Sequence, residues 1–239
     1  MDGQRWRERA GSFGATADVY DRSRPSYPVE AVRWALPEGA QRVLDLGAGT
    51  GKLTEVLLDL GLDVVAVEPS APMRERIPPR AEVLEGTAEA LPLEDASVDA
   101  VLVGQAFHWF DPDAALPEMT RVLRPGGTVG LLWNVMDDSV EWVKQVTALF
   151  GAEDLVSHMD GAPPFTGHGA LSDPDHDEFD HSQSLDRDLL VDLVATRSVL
   201  TELPEEERLE VLARVRELAP EDEPFELPYV TDAWRSVRG

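Results

Sequence analysis

Short apolar runs alternate with stretches of helical periodicity through the first half of the chain. Val43-Leu44-Asp45-Leu46 is such a run, ended by glycines, and beyond it Leu53, Val56, Leu57 and Leu60 recur at helical spacing until Gly61 stops them. The order is strand, glycine loop, helix. Val64-Val65-Ala66-Val67 predicts a second buried strand ending at Glu68-Pro69, and Ala81-Glu82-Val83-Leu84 a third, shorter one. Ser97 to Val103 predicts a fourth, and Gly127 to Trp133 a fifth after the Arg124-Pro125-Gly126-Gly127 turn. Strands that are apolar almost throughout and separated by helical stretches are buried on both faces, which predicts an α/β fold with a doubly wound, mostly parallel sheet.

The pattern changes in the second half. Residues 151–182 are rich in Gly, Pro, Asp, Ser and His and read as a long irregular connection with a short strand around Glu178-Phe179-Asp180-His181. Leu185, Leu189, Leu193 and Leu200 then mark one amphipathic helix. Val211, Leu212, Val215 and Leu218 mark another, opened by Pro204 and three glutamates. Phe225, Leu227 and Tyr229 alternate like a closing strand. With no internal repeat, this half reads as an elaboration of the sheet plus a helical cover.

Composition narrows the chemistry. The 239 residues include no cysteine, which excludes disulfides, thiolate metal sites and cysteine nucleophiles. A net charge of -25 repels phosphate backbones and anionic membrane surfaces, so no nucleic acid and no membrane is expected as a partner. Residues 137–239 carry 25 of the 46 acidic side chains and only 8 of the 21 basic ones, a solvated acidic face. No run reaches the ~18 apolar residues of a membrane span, and a cytoplasmic protein is the expectation.

The stretch Asp45-Leu46-Gly47-Ala48-Gly49-Thr50-Gly51-Lys52 is the most informative. Glycines between a strand and a helix let a ligand approach the backbone. A phosphate-cradling Walker loop needs glycine five residues before Gly51 and Ser or Thr after Lys52, but Leu46 and Leu53 stand there. A dinucleotide fingerprint needs its third glycine where Lys52 stands, which puts NAD second. Glu68 ends the second strand 21 residues beyond Gly47, where a carboxylate can accept hydrogen bonds from both hydroxyls of a ribose.

In this D-L-G-x-G-x-G pattern with its following acidic residue, the chain resembles the class I methyltransferases that use S-adenosylmethionine. Further segments extend the likeness to the small-molecule methyltransferases called type 11. They are Gly86 to Pro92, Gln105 to Phe110, Arg121 to Gly127, and an amino-terminal stretch containing Phe13-Gly14, Tyr20 and Arg24-Pro25-Ser26-Tyr27-Pro28. The resemblance covers residues 13–134 well and the tail from Phe179 to Trp234 more loosely. It implies a Rossmann-like sheet with helical lid elements and S-adenosylmethionine as cofactor. Residues 1–136 would supply the lid and the cofactor-binding half of a single domain. Residues 137–239 would supply the rest of the sheet and the helices over a small-molecule substrate.

Carried over residue by residue, the resemblance puts Gly47, Ala48 and Gly49 beside the methionine part of the cofactor, with Asp45 fixing the loop or the amino group. Glu68 takes the ribose. Met73 packs on the adenine, Thr87, Ala88 and Glu89 surround its edge, and Gln105 lies under the methionine part. Thr87 stands where many relatives have aspartate. Tyr20, Arg24 and Tyr27 are expected to close over the cofactor as part of the lid.

Each position has a plainer reading. Gly51 serves either ligand approach or helix packing, and Met73 either adenine or core. Tyr20 and Tyr27 could anchor the first helix, and Trp109 with Phe110 either plug a short helix or wall a substrate. Lys52, with no phosphate to hold, reads as a surface residue. His158, His168, His176 and His181 lie at irregular spacings, and no metal is expected. His108, past the fourth strand, is the candidate catalytic base, because imidazole titrates near neutral pH. The alternatives to methyl transfer are a nicotinamide-dependent reductase and a non-catalytic cofactor-binding partner of the same fold.

Overall fold

The computed structural model of the protein describes residues 21–150, 163, 165–201 and 203–239. Phe13, Gly14, Tyr20 and His158 lie outside them. After a first helix, α1 (Val29–Ala35), come β1 (Arg42–Leu46), α2 (Lys52–Asp59), β2 (Asp63–Val67), a single turn α3 (Ala71–Arg74) and β3 (Glu82–Leu84). There follow β4 (Val98–Gly104), a 3-10 turn at Phe107–Trp109, α4 (Pro112–Val122), β5 (Leu123–Met136) and α5 (Glu141–Ala148). The remaining elements are β6 (Asp175–Leu185), α6 (Arg187–Ala195), α7 (Ser198–Thr201), α8 (Glu205–Leu218) and β7 (Phe225–Val237).

All seven strands join one sheet in the order β3-β2-β1-β4-β5-β7-β6. The first five pair in parallel, and β7 runs antiparallel to both β5 and β6. Alternation along each strand divides the core. Leu44, Leu46, Val65, Val67, Val101 and Val103 face one side, where α4 contributes Ala115, Leu116 and Met119. Val43, Val64, Ala100 and Leu102 face the other, against Ala31, Val32 and Ala35 of α1 and Leu53 and Leu57 of α2. Covered on both faces, these strands have no polar side, which is why they read as continuous apolar runs. A third cluster joins α5, α6, α7 and α8 to Phe225, Leu227 and Tyr229 of β7.

The second half departs from the sequence reading in two places. The short strand expected around residues 178–181 is the eleven-residue β6, mostly exposed, with Leu185 buried at its end. Leu185, expected in a helix, ends that strand instead. Asp186 then caps α6, its carboxylate accepting from the Leu189 N–H at 2.8 Å. The helix expected through Leu200 is broken in two, into α6 and α7.

Candidate functional site

A cavity of about 780 Å³ runs along the carboxyl edge of the parallel strands. This is where loops leave an open α/β sheet and where its ligands sit. Arg24, Tyr27, Asp45, Gly47, Ala48, Gly49, Glu68, Met73, Thr87, Ala88, Glu89 and Gln105, all expected at the site, line it together. Tyr20 lies outside the described residues.

The glycine loop leaves β1 with three positive φ angles, +72° at Gly47, +57° at Gly49 and +94° at Gly51. Their surroundings separate their tasks. A Cβ on Gly49 would meet nothing within 4 Å, whereas one on Gly51 would lie 2.7 Å from Pro78 Cδ and 3.2 Å from Ile77 Cα. Gly51 is absent from the cavity wall, so of its two readings the structure supports helix packing. Gly47 lets Ala106 and Phe110 approach, to 2.8 and 3.2 Å of where a Cβ would stand.

Two carboxylates underlie the loop. Glu68, buried after β2, accepts from the Gly49 N–H at 2.9 Å through Oε2 and from the Ser70 N–H at 2.8 Å through Oε1. Burial pushes its pKa up against these two hydrogen bonds and the Arg74 charge. Each oxygen keeps a further lone pair for a ligand hydroxyl. Asp45, in β1, is 1% exposed and accepts from Thr54 Oγ1 of α2 at 2.5 Å, tying strand to helix behind the loop. Burial, opposed by the Thr54 hydrogen bond and reinforced by the Glu68 charge, pushes its carboxyl up to about 7.

At the end of β4, Gly104 makes room for Tyr27, whose hydroxyl lies 2.4 Å from the Cβ position a larger residue would need. Gln105 follows with φ +55°, a conformation non-glycine residues seldom adopt, and its Nε2 donates to the Asn134 carbonyl at 2.7 Å. Glu89 accepts from the Asp111 N–H at 3.0 Å and so braces the start of α4. Met73 is both buried and on the wall. Trp109 and Phe110 likewise line the cavity while packing against the core. His108 is not among the lining residues, although both neighbours that follow it are. Lys52 lines the cavity rather than only the surface, and pairs with Asp21 at 3.4 Å.

Several lining residues escaped the sequence reading, and three of them come from the far side of the sheet or from its cover. Asn134 had a signal, a lone amide in an apolar strand. Its Nδ2 donates to the Ser26 carbonyl at 3.0 Å and its Oδ1 accepts from Thr231 Oγ1 at 2.6 Å. Tyr229 and Arg197, from β7 and the α6–α7 junction, had none, because only the closing of the sheet carries them to the cavity. Away from it, His176, Glu178 and Asp232 cluster where β6 meets β7, their ligand atoms within 4.8 Å of one another. Asp232 there bonds His176 at 2.5 Å and accepts from Trp234 Nε1 at 3.2 Å.

Comparison with known proteins gives this geometry a family. Residues 44–131 match the model of a methyltransferase domain family. An uncharacterized methyltransferase of Mycobacterium tuberculosis is 45% identical over 97% of each chain. An uncharacterized methyltransferase-like protein of Schizosaccharomyces pombe is 36% identical over 87% of this chain and 86% of its own. Among solved structures, a protein of Anaeromyxobacter dehalogenans assigned as a type II methyltransferase shares the fold, with a TM-score of 0.63 and 22% identity. That alignment covers 90% of this chain and 97% of the other. Identity sustained over nearly the whole of both chains, on this sheet and around this glycine loop, makes the chain an enzyme of the class I methyltransferase family.

Proposed function

We propose that the protein transfers a methyl group from S-adenosylmethionine to an O, N or C nucleophile of a small molecule. The observation that carries this reading is the buried Glu68 carboxylate held beside the open Gly49 backbone. The residues present fit the cofactor. Glu68 would hold the ribose hydroxyls, Met73, Thr87, Ala88 and Glu89 the adenine, and Gly47, Ala48, Gly49, Gln105, Tyr27 and Arg24 the methionine part. Asp45 supports the loop from behind through Thr54. When bound, S-adenosylmethionine supplies a methyl group on a sulfonium, whose C–S bond breaks, with the electron pair left on sulfur, as the bond to the substrate atom forms.

The methyl group arrives activated, so the chain chiefly aligns the reactants and keeps water out. Alignment of this kind contributes ~7–11 kcal/mol. Trp109 and Phe110 supply apolar wall for the substrate, and Tyr27, packed against Gly104, closes the cavity from the amino-terminal arm. His108 stays the candidate base of this reading where the nucleophile arrives protonated, its ring 4.7 Å from that of the lining residue Trp109. A net charge of -25 favours a small-molecule partner over nucleic acid or an anionic membrane, and among the described residues no helix is long and apolar enough to cross a membrane.

Calorimetric titration with S-adenosylmethionine and, separately, NADH tests the reading. The first is expected to bind and the second not. Glu68→Ala is expected to weaken S-adenosylmethionine binding by ~1.5–3 kcal/mol, about 10- to 100-fold, in a folded protein. Unchanged affinity in that variant would overturn the assignment. Bound cofactor without turnover on a broad panel of nucleophiles would favour the non-catalytic alternative.

A further inference from the structure

Glu68 answers only part of what a ribose asks of its site. A sugar hydroxyl carries one proton and two lone pairs, whereas a carboxylate only accepts, so hydroxyls that donate to Glu68 still need donors for their own oxygens. In water those lone pairs are hydrated. In the cavity the wall has to supply the donors, because a polar atom stripped of water without a partner weakens binding.

Two hydroxyls stand where this need arises. Glu68 Oε1 accepts from the Ser70 N–H, and Oε2 from the N–H of Gly49, the residue before Thr50. Ser70 and Thr50 line the cavity, and both are more than nine-tenths buried, at 7% and 4% exposure. Among the described residues neither Ser70 Oγ nor Thr50 Oγ1 has a hydrogen-bond partner, and both atoms are shielded from solvent. The other buried threonines, Thr54, Thr120, Thr128, Thr196 and Thr231, all donate to an oxygen. Rotation about one bond, χ1, aims either free hydroxyl.

The missing partner is most telling at Ser70. It precedes α3, where a serine hydroxyl ordinarily accepts from an N–H of the first turn. Here the Met73 and Arg74 N–H groups donate to the Ser70 carbonyl, and the hydroxyl makes no cap. Ser70 also stands in the chain between Glu68, assigned to the sugar, and Met73, assigned to the adenine. Thr50 follows Gly49, whose Cα lies open, with nothing within 4 Å of where a Cβ would stand.

Resting on the methyl-transfer reading, we propose that Ser70 and Thr50 select the ribose of S-adenosylmethionine, each donating to the oxygen of one sugar hydroxyl while that hydroxyl donates to Glu68. Each sugar hydroxyl is then satisfied as donor and as acceptor. A deoxy sugar loses both bonds at once and leaves a protein hydroxyl without its partner.

Calorimetry on the whole chain tests this with S-adenosylhomocysteine and its 2′-deoxy and 3′-deoxy analogues, on the unaltered protein, Ser70→Ala and Thr50→Val. Neither substitution breaks a hydrogen bond among the described residues. Each variant is therefore expected to keep or raise the urea midpoint, since a buried hydroxyl without a partner costs stability. Each is expected at the same time to bind S-adenosylhomocysteine about 3- to 10-fold more weakly, and to bind one of the two deoxy analogues as tightly as the unaltered protein does. A lower midpoint with unchanged affinity marks a structural hydroxyl and overturns the proposal. Equal losses for all three ligands overturn it too, because the effect is then not on the sugar. If the unaltered protein does not bind S-adenosylhomocysteine, the methyl-transfer reading falls and this proposal with it, whereas binding that both variants retain in full sinks this proposal alone. A variant that fails to fold shows that its hydroxyl holds the protein together, and the proposal fails for that residue.

Discussion

Gly49 and Gly51 look alike in sequence, yet substitution should separate them. Gly49→Ala places a methyl group in open space, so its cost to stability is the left-handed backbone alone, ~1–2 kcal/mol. That methyl group nevertheless enters the cavity, and calorimetry should show S-adenosylmethionine binding impaired out of proportion to the loss of stability. Gly51→Ala adds a clash with Ile77 and Pro78 to the same strain, about 2–5 kcal/mol together, seen as a lower urea midpoint. Asp45 gives a pH signature. Its folded pKa, about 7, lies above its ordinary value, so the folded state holds a proton that the unfolded chain has already released. Its contribution to stability is therefore greatest below pH 4 and is lost as pH rises through 7. Glu68, also pushed up by burial, acts in the same sense, while Asp99 and Glu118, held low, act in the opposite sense at more acid pH. Asp45→Asn should flatten the decline between pH 5 and 8. Melting curves of the two proteins should diverge by on the order of 2 kcal/mol across that range, and parallel curves would show that Asp45 ionises normally.

At the level of elements, β5 does more than join the sheet. Asn134 takes a place there that an apolar residue would fill, and it binds the arm, β7 and Gln105 at once. Asn134→Leu removes the partner of the Ser26 carbonyl and of the Thr231 hydroxyl, and should cost ~2–4 kcal/mol by urea unfolding. The arm around residues 21–28 should then be cut faster in limited proteolysis, whereas equal cleavage would show that Arg22–Asp192 and Gln183–Ser23 hold it without help. The same elements explain what was legible in the sequence. Strands β1, β2, β4 and β5 are buried on both faces, and burial wrote them as apolar runs. Glu68 and the glycine loop were readable because the order of strand, loop and helix fixes where they stand. β6 is an edge strand that begins Asp-His-Asp-Glu-Phe-Asp-His, and apart from Phe179 and Leu185 burial did little to select its residues. Charges along such an edge discourage pairing with other molecules, and they also made it read as loop. Arg197 and Tyr229 lie far along the chain from the motif, and no local spacing links them to it.

Across the whole molecule, the reversed β7 lies between β5 and β6, although the segments it joins are far apart in the chain. Thr128 pairs with Val237, and Asp175 with Arg235. Closing such contacts carries a loop-closure cost before any pairing repays it, so the sheet completes late in folding. The parallel strands β1 to β4, their helices and the glycine loop involve shorter connections and can consolidate first. At that stage β5 presents an unpaired edge and Tyr229 has yet to arrive at the cavity. On the proposed function, the half of the cavity assigned to the adenosine thus forms ahead of the half over β5 and β7. A refolding molecule in between is both competent to take up cofactor and open to pairing its β5 edge with that of another molecule. The residues assigned to the cofactor lie on the arm and on or after β1 to β4, so cofactor present during refolding would not guard that edge.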